Sequence, residues 1–282
     1  MTTTTQPASN DRTDSHEATG GVVGRPLDRV DGTAKTTGAA RFAAEFGYAD
    51  LAHAALVHAT VARGRIIRID TAAAAAVPGV IAVLTHLNAP KLRPPRRANM
   101  VRDLGPSVSG TRVNYLNTDE VHWDGQPIAV VVAETSATAH EAAQLVDVEY
   151  AELRFTVDFA AEEPNATAAK GDLTFPGHAK NGHAEAALAA AAVSVDLRYT
   201  TPPLQQNAIE PHATIALWEG DRLTLHDTTQ SIQAMRSHIA WRFAVPPTNV
   251  RVISPFVGRG SAATVGGWPG SGLTVVAAPA SG

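Results

Sequence analysis

Eleven histidines and a few short runs of Gly and Ser are the residues in this 282-residue chain whose types could do chemistry. The first chemistry they suggest is metal binding, through His53 with His58 and His178 with His183. A helical zinc protease site sets two His four apart around a Glu, and neither pair has that form. The histidines therefore read as surface or structural residues. Gly105-Pro106-Ser107-Val108-Ser109 approaches the Gly-x-Ser-x-Gly elbow of a serine hydrolase but fails at its last position, so acyl transfer has no support. Gly258-Arg259-Gly260-Ser261-Ala262-Ala263 mimics a dinucleotide loop with Ala as its third small residue. Such a loop must open a helix, and Thr264-Val265-Gly266-Gly267-Trp268-Pro269 would break one. A nicotinamide site is the weakest reading.

Composition narrows the remaining classes. Hydrophobic residues make up 44% and charged residues 18%, as in a globular chain with a sizeable core. Twenty-three Lys and Arg against 27 Asp and Glu give a net charge of -4, which supplies no basic field for nucleic acid. With no Cys, this chain can hold no disulfide, thiolate zinc or iron–sulfur cluster. The longest weakly polar run, Ala72 to Leu84, is too short to span a bilayer and is broken by Pro78-Gly79, so no membrane partner is expected. Residues 1–21 lack a basic start followed by an apolar stretch; they read as a disordered leader, and the expected location is cytoplasmic.

The elements that must position any site come next. Strands are expected over Leu51 to His58, Arg65 to Asp70, Val80 to Leu84, Ile128 to Ala133 and Val146 to Tyr150. Helices are expected over Thr71 to Val77, closed by Pro78-Gly79, and over Thr138 to Leu145. Together these form one α+β block over residues 22–160. Pro, Asn, Gly and Asp then mark a linker over 161–183. The second block, 184–258, opens with a helix over Ala184 to Ala192. Strands follow over Val193 to Tyr199, Ala213 to Trp218 and Leu223 to Asp227, the last two joined by the turn Glu219-Gly220-Asp221-Arg222. Ile232 to Phe243 reads as an amphipathic helix stopped by Pro246-Pro247, and Val250 to Ile253 as a last strand. Residues 259–282 hold one charge, Arg259, and no periodicity, so an irregular tail is expected there.

Four segments of the second block carry the more informative residues. They are Thr201-Pro202-Pro203, Gln206-Asn207-Ala208-Ile209-Glu210-Pro211-His212-Ala213, Asp227-Thr228-Thr229-Gln230 and Ile253-Ser254-Pro255-Phe256-Val257-Gly258. In this order and spacing they closely resemble the molybdopterin-binding large subunit of the xanthine dehydrogenase and aldehyde oxidase family. The first block is similar to that family's a/b hammerhead domain through Arg29-Val30-Asp31-Gly32-x-Ala34-Lys35, Pro78-Gly79-Val80 and Gly125-Gln126-Pro127-Ile128-Ala129. The resemblance runs from about Val22 to Gly258. It implies an α+β fold in which a hammerhead domain is followed by an incomplete α+β molybdenum-cofactor-binding domain.

The resemblance also implies the chemistry: oxidation of aldehydes or of N-heterocycles such as purines at a molybdenum–molybdopterin cofactor. Iron–sulfur and FAD centres would sit on partner chains of the same complex. The matching cofactor-binding positions are Gln230, Phe256 and Gly258. The Gln230 amide could donate to an oxo group or accept from a hydroxyl near the metal; without the resemblance it reads as an ordinary strand-end glutamine. Glu210 and His212 receive no catalytic role. The glutamate that serves the family as base lies beyond the end of this chain, which is expected to be inactive alone. The family's Gly-Gly-Phe-Gly loop is replaced after Val257-Gly258 by Arg259-Gly260-Ser261-Ala262, and a shifted reading frame is one expectation that this departure raises. The alternative function is a non-catalytic assembly or interaction module built on the hammerhead domain.

Overall fold

The computed structural model describes residues 23–94, 113–168, 177–204, 207–258 and 269–281. The expected leader 1–21, most of the Pro- and Arg-rich loop including Gly105 to Ser109, and the segment 259–268 lie outside the described residues. The chain divides into two compact units, Met1–Arg41 and Phe42–Gly282. The described part of the first holds one short helix, α1 (Gly32–Thr36). Lys35 and Arg29 both bond the Asp31 carboxylate, and they draw its pKa down to about 2.

Among its described residues, the second unit carries three three-stranded sheets. In chain order its elements begin with β1 (His53–His58), β2 (Gly64–Asp70), α2 (Ala72–Ala75), β3 (Val80–Thr85), β4 (Glu120–Val121), β5 (Pro127–Ala133), α3 (Ser136–Ala143), β6 (Asp147–Glu152) and α4 (Phe159–Glu162). One antiparallel sheet has the order β1-β5-β3, and another has β4-β2-β6. An uninterrupted apolar run explains why β5 sits in the middle: all seven of its residues are buried. Its alternation feeds two cores. Ala129 and Val131 pack with Val57, Ile66 and Val121, while Val130 and Val132 pack with Leu84, Tyr115 and Leu116. Burying each valine contributes about 1.5–3 kcal/mol. The Gly125-Gln126-Pro127 match has a structural basis here. Gly125 takes a φ of 86° and donates its N–H to Ala59 O, and the buried Gln126 side chain bridges His122 N and Glu120 O, each at 2.8 Å.

The chain continues with α5 (Ala184–Ala189), β7 (Thr214–Glu219), β8 (Arg222–Asp227), α6 (Ile232–Arg242), β9 (Val250–Ile253) and α7 (Pro269–Ala277). β7 and β8 form the expected hairpin, Glu219 opposite Arg222, with Gly220 at a φ of 63° making the tight turn. β9 adds parallel to β8, and α6 crosses between them. Leu223, Leu225, Met235, Ile239 and Val250 make this sheet's core.

Two expectations are corrected. Val193 to Tyr199 is not a strand: Val193 is 82% exposed and Tyr199 85%. Alternation specifies the face that a neighbouring strand would cover, yet among the described residues none pairs with this segment. The irregular tail is the other correction, because Pro269–Ala277 is helical. Leu273, Val276 and Ala277 enter the core beside Val130 and Val132, and Val275 enters the core of the third sheet. Tertiary burial here overrides the weak helix propensity of a Gly- and Val-rich run, and Pro269 suits a helix start.

Candidate functional site at the strand ends

Parallel pairing of β8 and β9 brings their carboxyl ends side by side, and the residues that follow each strand form the candidate site. The crevice beyond the carboxyl ends of neighbouring parallel strands is where such sheets expose side chains and loop backbone to a ligand. Two side-chain to backbone bonds join the ends: the Ser254 hydroxyl donates to Thr229 O at 2.9 Å and accepts from Thr229 N at 3.5 Å. Thr229 is 1% exposed, and its own hydroxyl accepts from Ser231 N at 3.1 Å. Gln230 thus stands between two anchored peptide groups, with its side chain exposed, two residues before the start of α6.

The structure brings Gln230 and the Phe256–Gly258 turn to the same end of the sheet. Phe256 is half-buried, and its ring packs against Phe42 with centroids 6.2 Å apart. Gly258 is exposed, and its N–H donates to Glu210 Oε2 at 2.6 Å. A Cβ at Gly258 would meet Glu210 Cβ at 2.6 Å, so this position needs glycine for close approach to Glu210. The other oxygen of Glu210 accepts from the Thr228 hydroxyl at 3.1 Å. Asn207, at a φ of 43°, turns the segment that delivers Glu210.

Beneath the strand ends lies a buried polar group to which sequence reasoning gave no role, although Asp227 opens one of its four informative segments. Asp227 is 2% exposed and accepts from Ser271 and Thr214 hydroxyls, each at 2.6 Å on Oδ1. Its Oδ2 is buried without a hydrogen-bond partner. Burial pushes the Asp227 pKa up, and the Ser271 and Thr214 hydrogen bonds and nearby His212 offset only part of that. Next to it, His226 is 3% exposed, bonds the Tyr48 hydroxyl through Nε2 at 2.6 Å and stacks on Phe46 at 4.1 Å. Burial, with a smaller contribution from Arg251, lowers the His226 pKa. Ser271 could not be found from sequence because the helix that delivers it was read as irregular. Asp227 leaves only one signal, a lone acid at the end of an apolar strand.

His53 and His58 lie at opposite ends of β1, and no group of three His, Asp or Glu that could hold a metal ion gathers among the described residues. The dinucleotide-like loop from Arg259 to Ala263 lies outside the described residues. No helix among them is long and apolar enough to cross a membrane.

Comparison with known proteins matches both blocks of the chain. Residues 37–154 match the model for the aldehyde oxidase and xanthine dehydrogenase a/b hammerhead domain, and residues 162–280 match the molybdopterin cofactor-binding domain. The chain is 39% identical over 242 residues to the aldehyde oxidoreductase molybdenum-binding subunit PaoC of Escherichia coli K12, covering 85% of this chain and 31% of that protein. Its fold is similar to quinoline 2-oxidoreductase from Pseudomonas putida 86, with a TM-score of 0.67, 27% identity and coverage of 83% and 30%. It is also similar to the aldehyde oxidoreductase from Desulfovibrio gigas, with a TM-score of 0.69, 25% identity and coverage of 90% and 29%. The chain therefore spans about a third of the length of these relatives. From its colinear motifs, its two domain matches and its fold, the chain belongs to the xanthine dehydrogenase and aldehyde oxidase family of molybdenum-binding large subunits.

Proposed function

We propose that the chain supplies the hammerhead domain and the first part of the cofactor-binding domain of a molybdenum hydroxylase large subunit. The activity is oxidation of an aldehyde or N-heterocycle in the cytoplasm, and electrons leave through iron–sulfur and FAD partner chains. The observation that carries this reading is the meeting of Gln230 and the Phe256–Gly258 turn at the carboxyl ends of neighbouring parallel strands.

Gln230 fits a cofactor-facing role, since an exposed amide flanked by two anchored peptides offers a donor and an acceptor at a fixed place. Phe256 would form an apolar side of the same crevice. The Gly258 amide does not fit as a donor to the cofactor, because Glu210 already occupies it. When bound, the cofactor supplies the electron sink and the oxygen that is transferred. The residues of this chain orient and shield; none of its described carboxylates stands at the strand ends free of a structural hydrogen bond that the site itself uses.

The test is metal analysis of the chain purified alone and together with iron–sulfur and flavin chains of the family, with Gln230→Ala alongside. The expected result is little molybdenum in the chain alone, and partner binding that survives Gln230→Ala. Stoichiometric molybdenum and aldehyde turnover by the isolated chain would sink its assignment as an incomplete site. Partner capture in which molybdenum never appears would favour the assembly-module reading.

A further inference from the structure

We infer that Glu210 is a positioning residue: its carboxylate clamps the β8 end to the glycine turn after β9 and so fixes where the Gln230 amide points. The inference rests on the proposed role of Gln230 and deepens it. Each oxygen of Glu210 has a separate partner, Oε1 the Thr228 hydroxyl at 3.1 Å and Oε2 the Gly258 N–H at 2.6 Å. Both are hydrogen bonds to an ionised acceptor, which are shorter and about twice as strong as neutral ones.

The clamp is built from both sides. Gly258 permits it because any Cβ would fall 2.6 Å from Glu210 Cβ and 3.3 Å from its Oε2. On the β8 side, Thr228 is 3% exposed and its hydroxyl also accepts from Ala213 N at 3.3 Å, so its oxygen is tied to the segment that carries Glu210. Thr228 N donates to Ala213 O at 3.1 Å, which holds the same pair through the backbone. At the next residue, Thr229, the Ser254 hydroxyl bridges to the backbone. Glu210, Thr228, Thr229, Ser254 and Gly258 therefore close a ring of contacts, with Gln230 the exposed side chain on its rim. A glutamine on a free strand end would sample many rotamers. Holding the peptides on both sides fixes the direction of the Gln230 Cα–Cβ bond and so narrows the region its amide can reach. In this chain the smallness of Gly258 serves the carboxylate.

The experiment uses the full 282-residue chain without cofactor, so its failure is separable from failure of the molybdenum reading. Amide hydrogen exchange at Gly258 and the side-chain amide resonances of Gln230 are followed by NMR in the native chain, Glu210→Ala, Glu210→Gln and Gly258→Ala. In Glu210→Ala the Gly258 amide is expected to exchange roughly 10- to 100-fold faster, the loss of one hydrogen bond to a charged group, and the Gln230 side-chain resonances are expected to move. Glu210→Gln keeps an acceptor for Gly258 and should restore most of the protection and the Gln230 position. Gly258→Ala, which pushes Glu210 away, should reproduce the Glu210→Ala spectrum around Gln230. Unchanged exchange at Gly258 in Glu210→Ala overturns the clamp. Faster exchange with Gln230 unmoved overturns the positioning role. Should Glu210→Ala unfold, Gly258→Ala decides, and native Gln230 resonances in that variant overturn the inference.

Discussion

The sheet of β1, β5 and β3 and the sheet of β7, β8 and β9 solve the same problem with different atoms. The first is closed by apolar side chains: Val130, Val131 and Ala133 are each 0% exposed, and the backbone takes up the polar groups in ladders on both sides of β5. The second buries polarity as well. Of the eight buried polar residues among the described ones, six belong to it or to the helices packed on it: His226, Asp227, Thr228, Thr229, Arg242 and Ser271. A buried polar network is worth having only when it fixes a geometry that apolar packing leaves loose. The contrast separates two kinds of interior: the hammerhead region is built for closure, the strand-end region for fixed polar geometry.

The contrast can be broken or sharpened by substitution. The largest effect is expected from Leu225→Ala, which empties the centre of the third sheet's core, where the side chain is 0% exposed. It should destabilise by about 2–5 kcal/mol in urea unfolding, and Gln230 should lose its order with it. Gly64→Ala tests the hammerhead region, because a Cβ there would lie 2.7 Å from Ala151 O across the β2–β6 ladder. A cost of about 1–3 kcal/mol is expected by the same measurement, with the strand-end resonances unmoved. Thr135→Ala removes the N-cap of α3, whose hydroxyl accepts from Thr138 N at 3.1 Å. It should cost about 1 kcal/mol.

Asp227→Asn is expected to change a slope more than a midpoint. The folded chain holds the Asp227 proton more tightly than the unfolded chain, because burial raises its pKa. The native state therefore binds more protons, and stability falls as pH rises from the unfolded aspartate value, about 3.9, through the raised folded value. Removing the titrating group should flatten that fall in denaturation curves taken across this window, with least effect at its acidic end. A slope that Asp227→Asn leaves untouched would mean that the buried carboxyl is not what separates the two sheets electrostatically.

Sequence alone made β5 legible, because seven apolar residues between Gln126 and Glu134 admit few other readings and burial on both sides satisfies all of them. The hairpin of β7 and β8 was legible for a local reason, the positive φ that Gly220 supplies. Legibility failed where the outcome depends on distant partners. Val193, Val195, Leu197 and Tyr199 alternate as a strand would, yet all four are exposed because no described strand lies beside them. Leu273 to Ala277 lacks local helical signals and is helical because two cores surround it. At the candidate site, Gln230, Phe256 and Gly258 were picked out through the resemblance alone, and their placement at one end of the sheet follows from the parallel β8–β9 register. The hold of Glu210 on Gly258 spans 48 positions, and no local pattern announces it.

The seat of α7 has a consequence for synthesis. Val130 and Val132 present an apolar face that Leu273, Val276 and Ala277 cover. On a ribosome that covering helix emerges roughly 140 residues later, which at about 5–20 residues per second is a delay of roughly 7–28 s. Throughout that interval the nascent hammerhead sheet carries a bare oily flank, a standing invitation to a chaperone.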